Sequence, residues 1–97
     1  MARIYKGSRY KLHLLIDKSN NNIIDDVSIS FYVANDNTNS VLVNEGITIN
    51  GNIATVEISS VLFDNFKEGL ICYIVYGTRN GLSFMEERQS NYYLKVS

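Results

Sequence analysis

Ile47-Thr48-Ile49-Asn50-Gly51-Asn52-Ile53-Ala54-Thr55-Val56-Glu57-Ile58 is the stretch whose reading decides the fold class. An Asn-Gly pair accepts the positive φ angles of a type I′ turn. Placing Asn50-Gly51 at the tip pairs Ile49 with Asn52 and Ile47 with Ala54. Ile47, Ile49, Ala54, Val56 and Ile58 then share one face, and Thr48, Thr55 and Glu57 the other. Turn chemistry and apolar alternation agree on a β-hairpin.

Toward the C-terminus, Ser59-Ser60 can cap a short helical turn over residues 61–66 that Gly69 ends. One turn cannot stand alone, so it is expected to plug the end of the molecule. Residues 70–76 are apolar on both faces and read as a central strand. Gly77-Thr78-Arg79-Asn80-Gly81 reads as a hairpin loop and residues 82–86 as a strand. Glu87-Arg88-Gln89-Ser90 breaks the pattern, and Tyr92, Leu94 and Val96 mark a last strand.

Toward the N-terminus, Val41-Leu42-Val43 is a short strand preceded by a loop at residues 34–40. Val27, Ile29, Phe31 and Val33 alternate with Ser28, Ser30 and Tyr32, giving one buried and one wet face. Asp17-Lys18-Ser19-Asn20-Asn21-Asn22 is a turn cluster. The first strand covers residues 10–16, with Tyr10, Leu12, Leu14 and Ile16 on one face and Lys11, His13 and Leu15 on the other. The sequence thus predicts an all-β, immunoglobulin-like antiparallel β-sandwich of about seven or eight strands with one short helical turn. Residues 1–8 form an N-terminal arm and residues 9–97 a single sandwich domain.

Composition sets the outer limits. The chain has 97 residues, 45% of them hydrophobic, which suits one globular domain. Its longest apolar run falls far short of the roughly 20 residues of a membrane helix. The start, Met1-Ala2-Arg3-Ile4-Tyr5-Lys6-Gly7, turns polar too early for a signal peptide, so the chain is expected to stay in the cytosol or be packaged from it. A single cysteine, Cys72, excludes an internal disulfide. A net charge of −1 gives nucleic acid no basis as a partner. Arg3, Lys6, Arg9 and Lys11 all precede the first acid, Asp17. A basic leading segment and an acidic body can attract neighbouring copies, the plain alternative being ordinary surface charge.

Catalytic chemistry finds little support. The only histidine, His13, is a mid-strand residue on a polar face, and Cys72 lies inside an apolar strand where cysteines are inert. Asp25-Asp26 and Glu86-Glu87 are adjacent pairs, and adjacent strand residues point to opposite faces. The oxygen-rich run at residues 17–26 lacks the glycine and the terminal glutamate of a helical calcium loop. The glycines are isolated, so no phosphate cradle exists. No catalytic, cofactor or metal residue is assigned. Seven tyrosines and no tryptophan remain. Tyr73 and Tyr92 read as core. Tyr5, Tyr32 and Tyr93 read either as interface residues or as ordinary edge packing. Arg3-Ile4-Tyr5-Lys6 reads as a strand that adds to a partner's sheet, the alternative being a frayed terminus. On this reading, deleting residues 1–8 leaves folding intact.

The succession of the Asn-Gly hairpin, Phe63 and Phe66, residues 67–76 and the closing Glu87-Arg88-Gln89-Ser90-Asn91-Tyr92-Tyr93-Leu94-Lys95-Val96 resembles the small immunoglobulin-like domains of tailed-phage virion proteins. These include the N-terminal domain of baseplate upper proteins. The Ser-Asn-Tyr-Tyr-Leu ending is similar to chains of crAss-like gut phages. The resemblance spans residues 9–97 and rests on turns and aromatics. It implies a non-enzymatic structural virion protein, a capsid decoration or head-fibre docking piece. Such a protein is made in the host cytoplasm and assembles as a homo-oligomer beside a major capsid or fibre protein. The alternatives are a baseplate or tail component and a carbohydrate-binding, adhesin-type sandwich.

Overall fold

A computed structural model describes residues 1–96. Eight strands and one helical turn follow one another: β1 (Ala2–Tyr5), β2 (Lys11–Lys18), β3 (Ile24–Val33), β4 (Asp36–Val43), β5 (Ile47–Asn50), β6 (Ile53–Ser59), a 3-10 turn (Ser60–Phe63), β7 (Gly69–Arg79) and β8 (Leu82–Lys95). They form a five-stranded sheet, β1-β8-β7-β3-β4, and a three-stranded sheet, β2-β6-β5. Neighbouring strands are antiparallel except β1 and β8. In the strand lettering of immunoglobulin-type sandwiches, β8, β7, β3 and β4 take the places of G, F, C and C′, β2, β6 and β5 those of B, E and D, and β1 lies on the β8 edge.

The predicted hairpin forms with a corrected tip. Asn50 pairs with Ile53 and Ile49 with Ala54, so Gly51-Asn52 makes the turn. Gly51 takes φ 63, the first-position glycine of a type II′ turn. The neighbouring loop explains the choice. Ser19 N–H donates to the Asn52 carbonyl at 2.9 Å, Ile24 N–H to the Gly51 carbonyl at 3.0 Å, and the Asn52 amide to the Ser19 carbonyl at 2.6 Å. The partner of Ile47 moves by two residues, from Ala54 to Val56, so the inward set is preserved.

The expected loop at residues 77–81 shrinks to Asn80-Gly81. Both residues have positive φ, 48 and 76, as a type I′ turn requires. β8 is one strand: the expected break at residues 87–90 is a bulge opposite Ile71. There Ser90 Oγ donates to the Ile71 carbonyl at 2.5 Å and accepts from Tyr92 N–H at 3.1 Å. β4 begins at Asp36, earlier than expected, after a tight turn with Asn35 at φ 66.

The N-terminal arm is a further correction. Ala2 to Tyr5 pair with Tyr92 to Lys95 of the same chain, and Ile4 is buried. One apolar residue between Arg3 and Tyr5 seats the strand, and Lys6 N–H donates to the Lys95 carbonyl at 2.8 Å. Residues 2–5 therefore belong to the domain's own sheet. Ile4→Ala should cost about 2 kcal/mol, the low end for buried isoleucine because an edge strand can relax. Deleting residues 1–8 should cost more. A urea midpoint checks both.

The core lies between the sheets, where Leu12 and Ile16 of β2 and Val56 of β6 meet Ile29, Phe31 and Val75. Phe31 packs edge-on against Phe63, with centroids 5.4 Å apart. Tyr73 is core, its hydroxyl donating to the Leu15 carbonyl of the opposite sheet at 3.4 Å, and Tyr92 packs at the core's margin. Ser59 Oγ accepts from Val61 N–H at 3.3 Å and caps the turn, which ends at Asp64. Phe63 and Phe66 close this end of the sandwich, and Gly69 opens β7.

Candidate protein-binding face

Alternation on β7 sends Ile71, Tyr73 and Val75 into the core, leaving Leu70, Cys72, Ile74 and Tyr76 on the outer face. Outward positions of an antiparallel sandwich are normally polar. Here they are apolar, and the opposing sheet lies on the other side. Register builds the patch outward from this strand. Leu42, Ser30, Ile74 and Glu87 form one row, Ser28, Tyr76 and Met85 a second, and Tyr32, Cys72 and Gln89 a third. Leu42 is 58% and Met85 73% exposed. Ser28 and Ser30 are short, so Ile74, Tyr76 and Met85 stand above them with Tyr32 and Leu42 on the flank.

Arg3 pairs in register with Tyr93 and Tyr5 with Lys95, which puts all four on the same outer face at the β1 edge. Met1, Arg3, Tyr93 and Lys95 line a shallow open groove there. The Lys95 ammonium lies 6.0 Å from the Tyr93 ring centroid and 3.7 Å from Glu68. Tyr32 lies on this face two strands from Tyr93. Burial, with Glu87 beside it, pushes the Tyr32 hydroxyl up to about 12. Of the expected interface residues, Arg3, Tyr5, Tyr32 and Tyr93 thus share one face. Ile4 points into the core, and Lys6 is half-buried at the end of β1. Leu42, Ile74, Tyr76 and Met85 were not singled out from sequence. The signal for Ile74 and Tyr76 is the run at residues 70–76, apolar at both parities when a two-sheet sandwich can bury only one, whereas Leu42 and Met85 join through register.

The remaining chemical groups lie apart. Cys72 is buried on the outer side of the five-stranded sheet, and burial, then the Glu87 charge, raises its thiol. His13 is exposed opposite Glu57 on the three-stranded sheet, so the two cannot meet. Glu86 and Glu87 diverge, Glu86 turning toward Arg79 and Arg88. Asp25 accepts from Gly81 N–H at 2.6 Å. Asp17, the first residue of the oxygen-rich run, is buried and bonded to Arg79 and Arg88. Among the described residues no three His, Cys, Asp or Glu side chains cluster as metal ligands.

Comparison with family models, with curated proteins and with solved structures gives no match to this chain.

Proposed function

We propose that the chain is a non-enzymatic binding module that docks on other proteins through the outer face of its five-stranded sheet. The observation that carries this reading is the apolar group Ile74, Tyr76 and Met85 on two adjacent rows of that sheet's outer face, the first two half-buried and Met85 73% exposed. Tyrosine and methionine are the side chains that protein interfaces favour, and a rigid sheet holds them at little entropic cost. The resemblance to phage domains supplies the partner class. The bound surface is a neighbouring virion protein, a major capsid or fibre protein, and several copies decorate a particle assembled in the host cytoplasm.

Density-gradient sedimentation of particles with tagged chain tests the proposal. Ile74→Asp combined with Met85→Asp should leave the fold intact and lower incorporation at least about tenfold, the effect of losing a central hot spot. Met85→Asp alone, at a position 73% exposed, serves if the double variant does not fold. Undiminished incorporation of a folded variant overturns the reading. Glycan-array binding without particle association would favour a carbohydrate-binding sandwich.

A further inference from the structure

The chain contains two Asn-Gly pairs, both on hairpin turns, and the structure separates them chemically. Gly51 and Gly81 are alike: φ is 63 and 76, and an added Cβ would meet nothing within 4 Å at either. Space and glycine conformation therefore do not distinguish the sites, but hydrogen bonding does. The Asn80 side chain is held at both ends. Its Oδ1 accepts from Ile23 N–H at 3.1 Å, and its Nδ2 donates to Asn22 Oδ1 at 2.9 Å. Gly81 N–H donates to Asp25 Oδ2 at 2.6 Å. Asn50 is exposed, and among the described residues neither its side-chain amide nor Gly51 N–H has a side-chain or loop hydrogen bond.

We infer that Asn50 is the site of spontaneous deamidation in the folded protein and that Asn80 is protected. The Gly51 backbone nitrogen, losing its proton, attacks the Asn50 side-chain carbonyl carbon. A C–N bond forms, the carbon–amide nitrogen bond breaks, and ammonia leaves with the proton it needs. Water then opens the five-membered succinimide at either carbonyl. The products are aspartate or isoaspartate at position 50, with no net oxidation or reduction. At Asn80 the same attack first requires the amide to leave Ile23 and Asn22 and the Gly81 nitrogen to leave Asp25. The isoaspartate form carries an extra backbone carbon where Gly51 and Asn52 dock on residues 19–24. The modification therefore strikes the contact that shifts the hairpin tip.

Incubation of the intact folded chain at mildly alkaline pH tests this. Cleavage after glutamate and tandem mass spectrometry localise the converted residue, and heavy-oxygen water marks each new carboxylate. Position 50 should convert at least about tenfold faster than position 80, a factor that one or two hydrogen bonds supply. In urea the two rates should converge, because the unfolded chain holds neither amide. Asp25→Ala should raise the rate at Asn80 and leave that at Asn50 unchanged, which separates a freed N–H from general loosening. Equal or faster conversion at Asn80 in the folded chain, or an Asn80 rate indifferent to Asp25→Ala, overturns the inference.

Discussion

Asp17→Ala should lower stability by about 3 kcal/mol, the scale on which a buried ion pair fails when one partner is removed. The Asp17 side chain is 0% exposed. Its Oδ2 accepts from Arg79 Nε at 3.0 Å, and its Oδ1 from Arg79 Nη2 at 2.5 Å and Arg88 Nη2 at 3.0 Å. Arg79 reaches Glu86 at 3.1 Å and its guanidinium carbon lies over the Phe84 ring, 3.8 Å from the centroid, while Arg88 bonds both Glu86 and the Ile16 carbonyl. Two cations and two anions thus close a network that ties β2 to β7 and β8. Without Asp17 two guanidiniums share one carboxylate at the sandwich margin, where their partial exposure keeps the loss from being larger. Asp17→Asn keeps the shape and removes the charge, so it should fall between alanine and wild type.

The same network sets a pH dependence. Burial alone would raise the Asp17 carboxyl, but the hydrogen bonds and charges of Arg79 and Arg88 outweigh it and hold the group below its ordinary 3.8. Arg88, then Arg79, lower Glu86 from its ordinary 4.5. A carboxyl lowered in the folded state stabilises above its unfolded value, and that contribution is lost as pH falls through the folded one. The wild-type chain should therefore lose stability on acidification below these ordinary values. The gap between wild type and Asp17→Ala should narrow there, as urea titrations at neutral and acid pH would show.

Gly77→Ala should be comparably damaging, at about 3 kcal/mol, the upper end for overpacking a tight contact. A Cβ at Gly77 would lie 1.9 Å from the Asp26 carbonyl oxygen and 2.8 Å from the Val27 Cα. These are backbone atoms of the paired strand, so no side-chain rotation relieves the clash. The close approach belongs to the irregularity in β3 between Ile24 and Asp26. To admit a methyl group, β3 must leave β7 just where Arg79 enters the charge network, so Gly77→Ala and Asp17→Ala should combine non-additively. Gly81→Ala, with open space but φ 76, should cost only about 1 kcal/mol. Urea midpoints for the three variants check the order.

These sensitive points mark where sequence reading failed. Strict alternation found the inward face of β3 and of the β5–β6 hairpin. It found the latter even with the turn misplaced, because a two-residue change of partner preserves facing. It failed where the chain departs from period two. The irregularity in β2 between Leu15 and Asp17 turns Ile16 and Asp17 inward together, so a buried acid looked like the start of a turn. On β8, Glu86 and Arg88 turn toward the network while Met85 faces out. That inversion of the usual pattern looked like a break. The proposed face is half-legible in the sequence: Tyr5, Tyr32 and Tyr93 draw notice by type, but Leu42 and Met85 join Ile74 and Tyr76 only through cross-strand register. Arg3-Ile4-Tyr5-Lys6 reads as a strand from sequence, but no local rule pairs residues 2–5 with residues 92–95 of the same chain.

Hydroxyl-radical footprinting of the free chain against the particle-bound chain tests the proposed face most directly. Met85 and Leu42 should label strongly in the free chain and become protected on the particle. Leu15 and Ile53, exposed on the three-stranded sheet, should label equally in both. Protection confined to Leu15 and Ile53, with Met85 and Leu42 as reactive on the particle as in solution, would contradict the account.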